Sequence, residues 1–214
     1  MHRIAVYAVA FASAALAACV SMDRASTKTR VEDTWKDPKY AAAPMKKLFV
    51  VSLMKVEPGG RGAVENAIVA RLQSAGVAGV ASHTVMSDDA EKPGPTLEEA
   101  IVASGADGVL IVQVRRMAAP EQNMVNQTVS SIMPDTMASY DYLKQQNVYQ
   151  PGDYKVANIV SELYLPSLGR QVWTAWTNSY DAADLAKNIP DYTLKLVGAM
   201  SRDRMIAGVP VPPS

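Results

Sequence analysis

Cysteine, histidine and net charge are all scarce in this chain of 214 residues. Its single cysteine, Cys19, has no partner in the chain for a disulfide. Its two histidines, His2 and His83, are too few for zinc, which prefers several His and Cys ligands. The 21 basic and 21 acidic residues cancel, whereas a nucleic-acid-binding surface needs a concentrated basic stripe. We therefore predict no metal site, no cofactor and no nucleic-acid partner.

Residues 1–18 have the pattern of a secretory signal. One basic residue, Arg3, precedes the apolar stretch IAVYAVAFASAALAA, which ends in small residues. This stretch is shorter than the ~20 residues that a membrane-spanning helix needs. We therefore predict that residues 1–18 form a signal peptide and are removed. The mature chain then has 20 basic residues (21 less Arg3) against 21 acidic ones.

Cys19 directly follows this stretch, and the tetrapeptide LAAC at Leu16–Cys19 resembles the lipobox of bacterial lipoproteins. In that family the thiol receives a diacylglyceryl group, the chain is cut just before it, and the new amino terminus is acylated. The resemblance implies lipid attachment at Cys19, with palmitate among the acyl chains, and a membrane as a partner. The alternative is ordinary cleavage after Ala17, with Cys19 incidental.

Val20 and the polar residues after it suggest where the anchored protein lies. In Gram-negative lipoproteins an aspartate after the cysteine typically retains the protein at the inner membrane. Valine at this position resembles the outer-membrane sorting pattern, so we predict the periplasmic face of the outer membrane. Residues 19–32 are polar and have no apolar period, and we therefore predict a lipidated flexible tether.

Beyond the tether, predicted strands alternate with predicted helices. KKLFVVSL, VAGVASHTV and GVLIVQV are short apolar runs typical of strands. Between the first two, Val64, Ile68 and Leu72 form one apolar stripe of a helix, and Thr96 and Glu99 have the capping-box spacing of a second helix. This alternation predicts a βαβαβ unit with parallel strands and right-handed crossovers.

The C-terminal half predicts an antiparallel hairpin and a final helix. KVANIVSELYLPSLGRQVWTAWTNSY contains two strands joined by PSLG, with Trp173 and Trp176 on opposite faces and both in the core. NIPDYTLKLVGAMSRDRMI predicts a helix with Pro190 in its first turn. We therefore predict a single α/β domain over residues 33–208, a mixed sheet of about five strands backed by helices, followed by a proline-rich tail at 209–214.

Four segments also resemble a known group of proteins. TWKDPKY, KKLFVVSL, GADGVLIVQV and GRQVWTAWT occur in this order in small bacterial lipoproteins of unknown function, and the resemblance runs from about Val31 to Ile206. That group is similar in layout to the amino-terminal domain of TolB, to the activator lipoproteins of penicillin-binding proteins and to the curli-export lipoprotein. The resemblance implies a mixed sheet backed by helices, and it implies no catalytic residues.

His83 is the one histidine left after signal removal. Ser82 adjoins it and Asp88 and Asp89 are near, but neighbours on a strand point to opposite faces, which favours a strand-end or surface histidine over a Ser-His-Asp site. Arg61 lies in PGGRG, which lacks the phosphate-binding spacings, and we expect it to be solvated. We therefore predict no enzymatic activity. An envelope hydrolase with an unrecognised site and a small-molecule or metal carrier are the alternatives.

Residues 116–154 show no sustained period. Long stretches of this kind are functional or disordered, and this one is richer in methionine and tyrosine than a disordered linker. We predict that it carries the binding function, with a surface for an envelope protein formed by Tyr140, Tyr142, Tyr149 and Tyr154. The alternative is that these tyrosines cover the sheet. The function predicted for the whole chain is a lipid-anchored, non-catalytic binding or assembly module of the cell envelope.

Overall fold

A computed structural model describes residues 29–54, 60–87, 94–118, 156–180 and 185–207. These residues form six strands, three α-helices and two short 3₁₀ turns. The strands are β1 (Thr29–Lys36), β2 (Lys47–Ser52), β3 (Ala78–Ala81), β4 (Gly108–Ala118), β5 (Val156–Leu165) and β6 (Arg170–Tyr180). The helices are α1 (Gly60–Ser74), α2 (Leu97–Ser104) and α3 (Leu185–Arg202), and the 3₁₀ turns are Ser82–Thr84 and Pro166–Leu168.

The six strands form one mixed sheet in the order β1-β6-β5-β4-β2-β3. β2 is parallel to both of its neighbours, β3 and β4, and all other neighbours are antiparallel. The βαβαβ unit, the hairpin of β5 and β6 and the C-terminal helix are therefore confirmed. The predicted fold class is correct, with β1 as a further strand at the edge.

β1 begins inside the predicted tether. Residues 29–32, the last four residues of that tether, belong to β1, and 29–31 pair with β6. The backbone N–H of Thr29 donates to Asp191 Oδ2 at 2.8 Å, and the Val31 side chain packs against the core. These polar residues form a strand because β6 provides hydrogen-bonding partners for their backbone. Apolar periodicity in the sequence does not indicate such a strand. The other predicted segments before Thr29 lie outside the described residues.

Each face of the sheet has its own apolar core. On one face, Leu48 and Val50 of β2 pack with residues of α1 and α3. On the other face, Phe49 and Val51 pack with Leu97 of α2 and its neighbours. β2 is therefore apolar on both sides, as expected for a parallel strand covered by helices on both faces. We call these two sides the α1/α3 face and the α2 face.

Several element boundaries differ from the predictions. The predicted strand VAGVASHTV ends at Ala81, and its second half is a 3₁₀ turn. Pro190 is the sixth residue of α3, not a first-turn residue, because the helix already begins at Leu185. Proline costs this helix only the hydrogen bond to the carbonyl of Ala186, which lies near the helix start. The capping box of Thr96 and Glu99 is confirmed.

Trp173 is the largest fully buried side chain among the described residues. It lies on the α1/α3 face, and its Nε1–H donates to Asp203 Oδ2 at 2.8 Å. Trp176 lies on the opposite face, as predicted, but it is only half-buried rather than part of the core. None of the helices in the described ranges is long and apolar enough to cross a membrane.

We expect Trp173→Ala to lower the free energy of unfolding by about 3–5 kcal/mol, since it removes a buried indole and leaves a cavity. Urea unfolding followed by circular dichroism measures this change. Trp35→Ala is the matched control because Trp35 is 42% exposed, and it should change stability by less than about 0.5 kcal/mol. Equal losses for the two variants would contradict the assigned core.

Candidate functional site at the carboxyl end of the parallel strands

The carboxyl end of β2 is the position where open α/β sheets usually bind ligands. From β2 the chain passes through α1 to β3 on one side, and then through α2 to β4 on the other side. β2 is therefore a topological switch point, and the crevice outside the carboxyl ends of such strands is the common ligand site of these folds. Ser52, the last residue of β2, lies at this end.

A buried carboxylate, that of Glu65 on α1, organises this end. Its Oε1 accepts hydrogen bonds from the Ser52 backbone N–H at 2.9 Å and from Ser82 Oγ at 2.7 Å. Its Oε2 accepts from the backbone N–H of His83 at 2.8 Å and lies 2.9 Å from His83 Nδ1. Four donors thus surround a carboxylate that has no solvent exposure, which is how a buried charge is accommodated. We call these residues the Glu65 network.

The Glu65 carboxylate sets the tautomer of His83. An ionised carboxylate only accepts hydrogen bonds, so Nδ1 carries a proton, and in the neutral form of the imidazole Nε2 has the lone pair. The His83 side chain is 26% exposed. Gly62 makes room for the ring, because a Cβ at that position would lie 3.2 Å from His83 Cδ2 and 3.3 Å from Nε2. In its neutral form His83 therefore presents Nε2 as a hydrogen-bond acceptor at this edge.

Arg61 is part of the same layer, and the expectation that it is solvated is wrong. The residue is only 8% exposed. One guanidinium nitrogen donates to Ser82 Oγ at 3.2 Å, and the other donates to the carbonyl of Met86 at 3.0 Å. Arg61 precedes Glu65 by one helical turn, so α1 directs both charged groups towards the 3₁₀ turn that follows β3.

The network does not have the geometry of a Ser-His-Asp site. The Ser82 hydroxyl donates a hydrogen bond to Glu65 and not to His83, so His83 is not placed to act as its base. The strand geometry used in the sequence analysis does not apply, because Ser82 and His83 lie in a 3₁₀ turn and both bond to Glu65. Asp88 and Asp89 lie outside the described residues. Within the described ranges no group of three His, Cys, Asp or Glu side chains could hold a metal ion.

Glu65 is the residue that the sequence analysis missed. Its position gave a signal: Arg61, Glu65, Ile68 and Leu72 share one side of α1, so a charged pair four residues apart continues the apolar stripe. A buried glutamate needs several hydrogen-bond donors. The residues that follow the parallel strands at their carboxyl ends can supply such donors. The donors themselves come from β2 and the turn after β3, which are distant in sequence.

The other predicted site residues are not part of this region. Cys19 and the four tyrosines Tyr140, Tyr142, Tyr149 and Tyr154 all lie outside the described residues, so lipid attachment and the tyrosine surface stay predictions. Of the segment 116–154, the first three residues belong to β4, which ends at Ala118. The rest of that segment also lies outside the described residues.

No protein-family model matches the chain, and no curated protein matches it. Two similar solved structures are a dodecamer of PelC from Paraburkholderia phytofirmans and the lipoprotein GNA1162 from Neisseria meningitidis. The first is 19% identical with a TM-score of 0.41, covering 78% of this chain and 95% of PelC. The second is 15% identical with a TM-score of 0.37, covering 73% of this chain and 98% of GNA1162.

These neighbours include a lipoprotein, and at such identities and TM-scores no function is transferred from them. The resemblance to the TolB domain and to the activators of penicillin-binding proteins stays a prediction. The functional proposals for this chain therefore depend on its own residues.

We expect Glu65→Gln to lower the free energy of unfolding by about 1–3 kcal/mol. Each carboxylate oxygen faces a backbone N–H, so the amide nitrogen is left against a donor on either side. Urea unfolding measures the loss. Glu98→Gln, on the exposed side of α2, is the matched control and should change little.

The same variant tests the tautomer. His83 is the only histidine after signal removal, so a long-range proton–nitrogen NMR correlation has one imidazole to report. We expect the Nδ1–H tautomer in the parent protein and a shift towards the Nε2–H tautomer in Glu65→Gln. An Nε2–H tautomer in the parent protein would contradict the assigned hydrogen bond.

Proposed function

We propose that this chain is a lipid-anchored cell-envelope protein whose domain binds or assembles with a protein partner and performs no catalysis. The observation that carries the proposal is the short distance along the chain between Cys19, in its lipobox-like tetrapeptide, and Thr29, where the sheet begins. A lipobox placed just before a folded domain is the arrangement expected of a protein held at a membrane surface by its acyl chains.

The start of β1 limits how far the domain extends from the membrane. Thr29 follows Cys19 by ten residues, which span at most about 35 Å when fully extended. The segment before β1, residues 19–28, is therefore four residues shorter than the predicted tether of residues 19–32. The domain of a lipidated chain therefore works close to the bilayer.

Strand directions show at which end of the sheet the chain from Cys19 enters. Thr29 pairs with Ser179 near the end of β6, Tyr180 pairs with Val156 at the start of β5, and Val156 pairs with Ala118 at the end of β4. β4 is parallel to β2, so all these residues lie at the carboxyl end of the parallel strands. Thr29, the first described residue, and the Glu65 network are therefore at the same end of the sheet.

The hydrogen bonds of the Glu65 network support binding over hydrolysis. A hydrolase of the serine type needs a hydroxyl that donates to its base, whereas the Ser82 proton is directed to a buried carboxylate. The network connects β2, α1 and the turn after β3, which makes this end rigid. A rigid end supports loops that recognise a partner.

We propose further that the protein lies on the periplasmic face of the outer membrane, because valine and not aspartate follows Cys19. The partner is proposed to be an envelope protein. We propose that this partner contacts four tyrosines, because clustered tyrosines favour protein interfaces. They are Tyr140, Tyr142, Tyr149 and Tyr154.

We expect Cys19→Ser to release the protein from the membrane fraction, or to leave the signal uncut, because serine cannot receive the thioether-linked lipid. Fractionation followed by intact-mass measurement distinguishes the two results. Ser21→Ala is the matched control and should stay membrane-bound at the lipidated mass. A Cys19→Ser protein that is cut and still needs detergent would overturn lipid anchoring.

The sorting step has its own variant, Val20→Asp. In a Gram-negative host we expect it to move the protein from the outer-membrane to the inner-membrane fraction of a density gradient, with the lipidated mass unchanged. An unchanged distribution would argue against outer-membrane sorting by this position and would leave the anchor itself unaffected.

A further inference from the structure

A patch of two indoles and a carboxylate lies on the α2 face at the edge of the sheet. Asp33 of β1 is directly opposite Trp176 of β6, and Trp35 is directly opposite Thr174. Directly opposed residues of antiparallel strands share a face, so Asp33, Trp35 and Trp176 project from the same side. Trp35 is 42% exposed, Asp33 is exposed and Trp176 is half-buried. We call these three residues the β1 patch.

The backbone of β1 is poorly suited to adding another strand. A bulge between Val31 and Asp33 interrupts the pairing register of this edge strand, and bulges twist an edge away from regular pairing. In addition, Asp33 Oδ1 accepts a hydrogen bond from the backbone N–H of Thr34 at 2.8 Å, so this N–H is not available to an added strand. Recognition at this edge therefore falls to the side chains of the β1 patch rather than to strand addition.

Among the described residues, no cation forms an ion pair with Asp33 of the β1 patch. Arg30 forms an ion pair with Glu32 at 3.8 Å. Lys36 belongs to the opposite face, where its Nζ donates to the carbonyl of Asp203 at 3.0 Å. An exposed negative charge beside two indole rings complements a positive charge, because the faces of indole rings also attract cations.

We propose that the β1 patch binds a lysine or arginine side chain of a protein partner. The carboxylate of Asp33 supplies the ion pair, and the indoles of Trp35 and Trp176 supply cation–π contact to the same group. This inference rests on the proposed binding role of the domain and adds the chemistry of the partner. Arginine suits such a site best, since its planar guanidinium can stack on an indole while donating to a carboxylate.

The position of the β1 patch favours a protein over lipid headgroups. Trp35 follows Thr29 by six residues, so it lies about 20 Å along the strand from the end at which the tether enters. The patch therefore lies along the side of the sheet, and not at the end where the chain from Cys19 enters.

The test measures binding of a labelled peptide that alternates glycine with arginine to the mature lipoprotein in non-ionic detergent, by fluorescence anisotropy at low salt. The control peptide contains citrulline, which keeps the shape of arginine without its charge. We expect saturable binding of the arginine peptide, weakened by added salt, and much weaker binding of the citrulline peptide.

Variants locate the binding site. We expect Asp33→Asn and Trp35→Leu each to weaken arginine-peptide binding by about 3- to 30-fold, the range that cation–π and ion-pair contacts correspond to. Both residues are exposed, so thermal midpoints should not change. Glu98→Gln, which removes an exposed carboxylate on α2, should bind as the parent does.

Four outcomes would overturn the inference. They are no binding at millimolar peptide, equal binding of both peptides, unchanged binding by Asp33→Asn and Trp35→Leu, and a self-associating parent that Trp35→Leu converts to monomers. The last would make the β1 patch a contact between copies of this chain. Each is separate from failure of lipid anchoring, which the fractionation of Cys19→Ser reports.

Discussion

The buried carboxylate of Glu65 is the contact on which the organisation of this domain depends. A carboxylate without solvent exposure is stable only if donors replace the lost water, and here they come from the end of β2 and from the turn after β3. Glu65 itself is on α1, so a single side chain connects three elements: β2, α1 and the turn after β3. The geometry at the switch point of the sheet follows from satisfying this charge.

Residues with local signals were predictable from sequence. The apolar run of β2, the stripe of Val64, Ile68 and Leu72, and the Thr96 cap each report their own element, because a period or a cap is a short-range property. Trp173 was predictable in the same way, as an apolar side chain on one face of an alternating strand.

The remaining features depend on partners distant in sequence. β1 is polar and becomes a strand because β6 pairs with it, and Arg61 is buried because the turn after β3 covers it. The Glu65 network was hidden for the same reason, since Ser52 and His83 approach Glu65 only after the βαβ unit has formed. Tertiary contacts of this kind override local composition.

The two termini of the described domain lie at opposite ends of the sheet. β1 starts at the carboxyl end of the parallel strands, whereas Ile206 bridges to Met45 just before β2, at their amino end. A mechanical pull between a lipid anchor and a partner that holds the C-terminal end would therefore act along the strands. Such a load stretches the hydrogen bonds between β1 and β6 together, in shear, rather than opening them one at a time. A lipidated chain held at that far end would therefore resist tension through many hydrogen bonds at once.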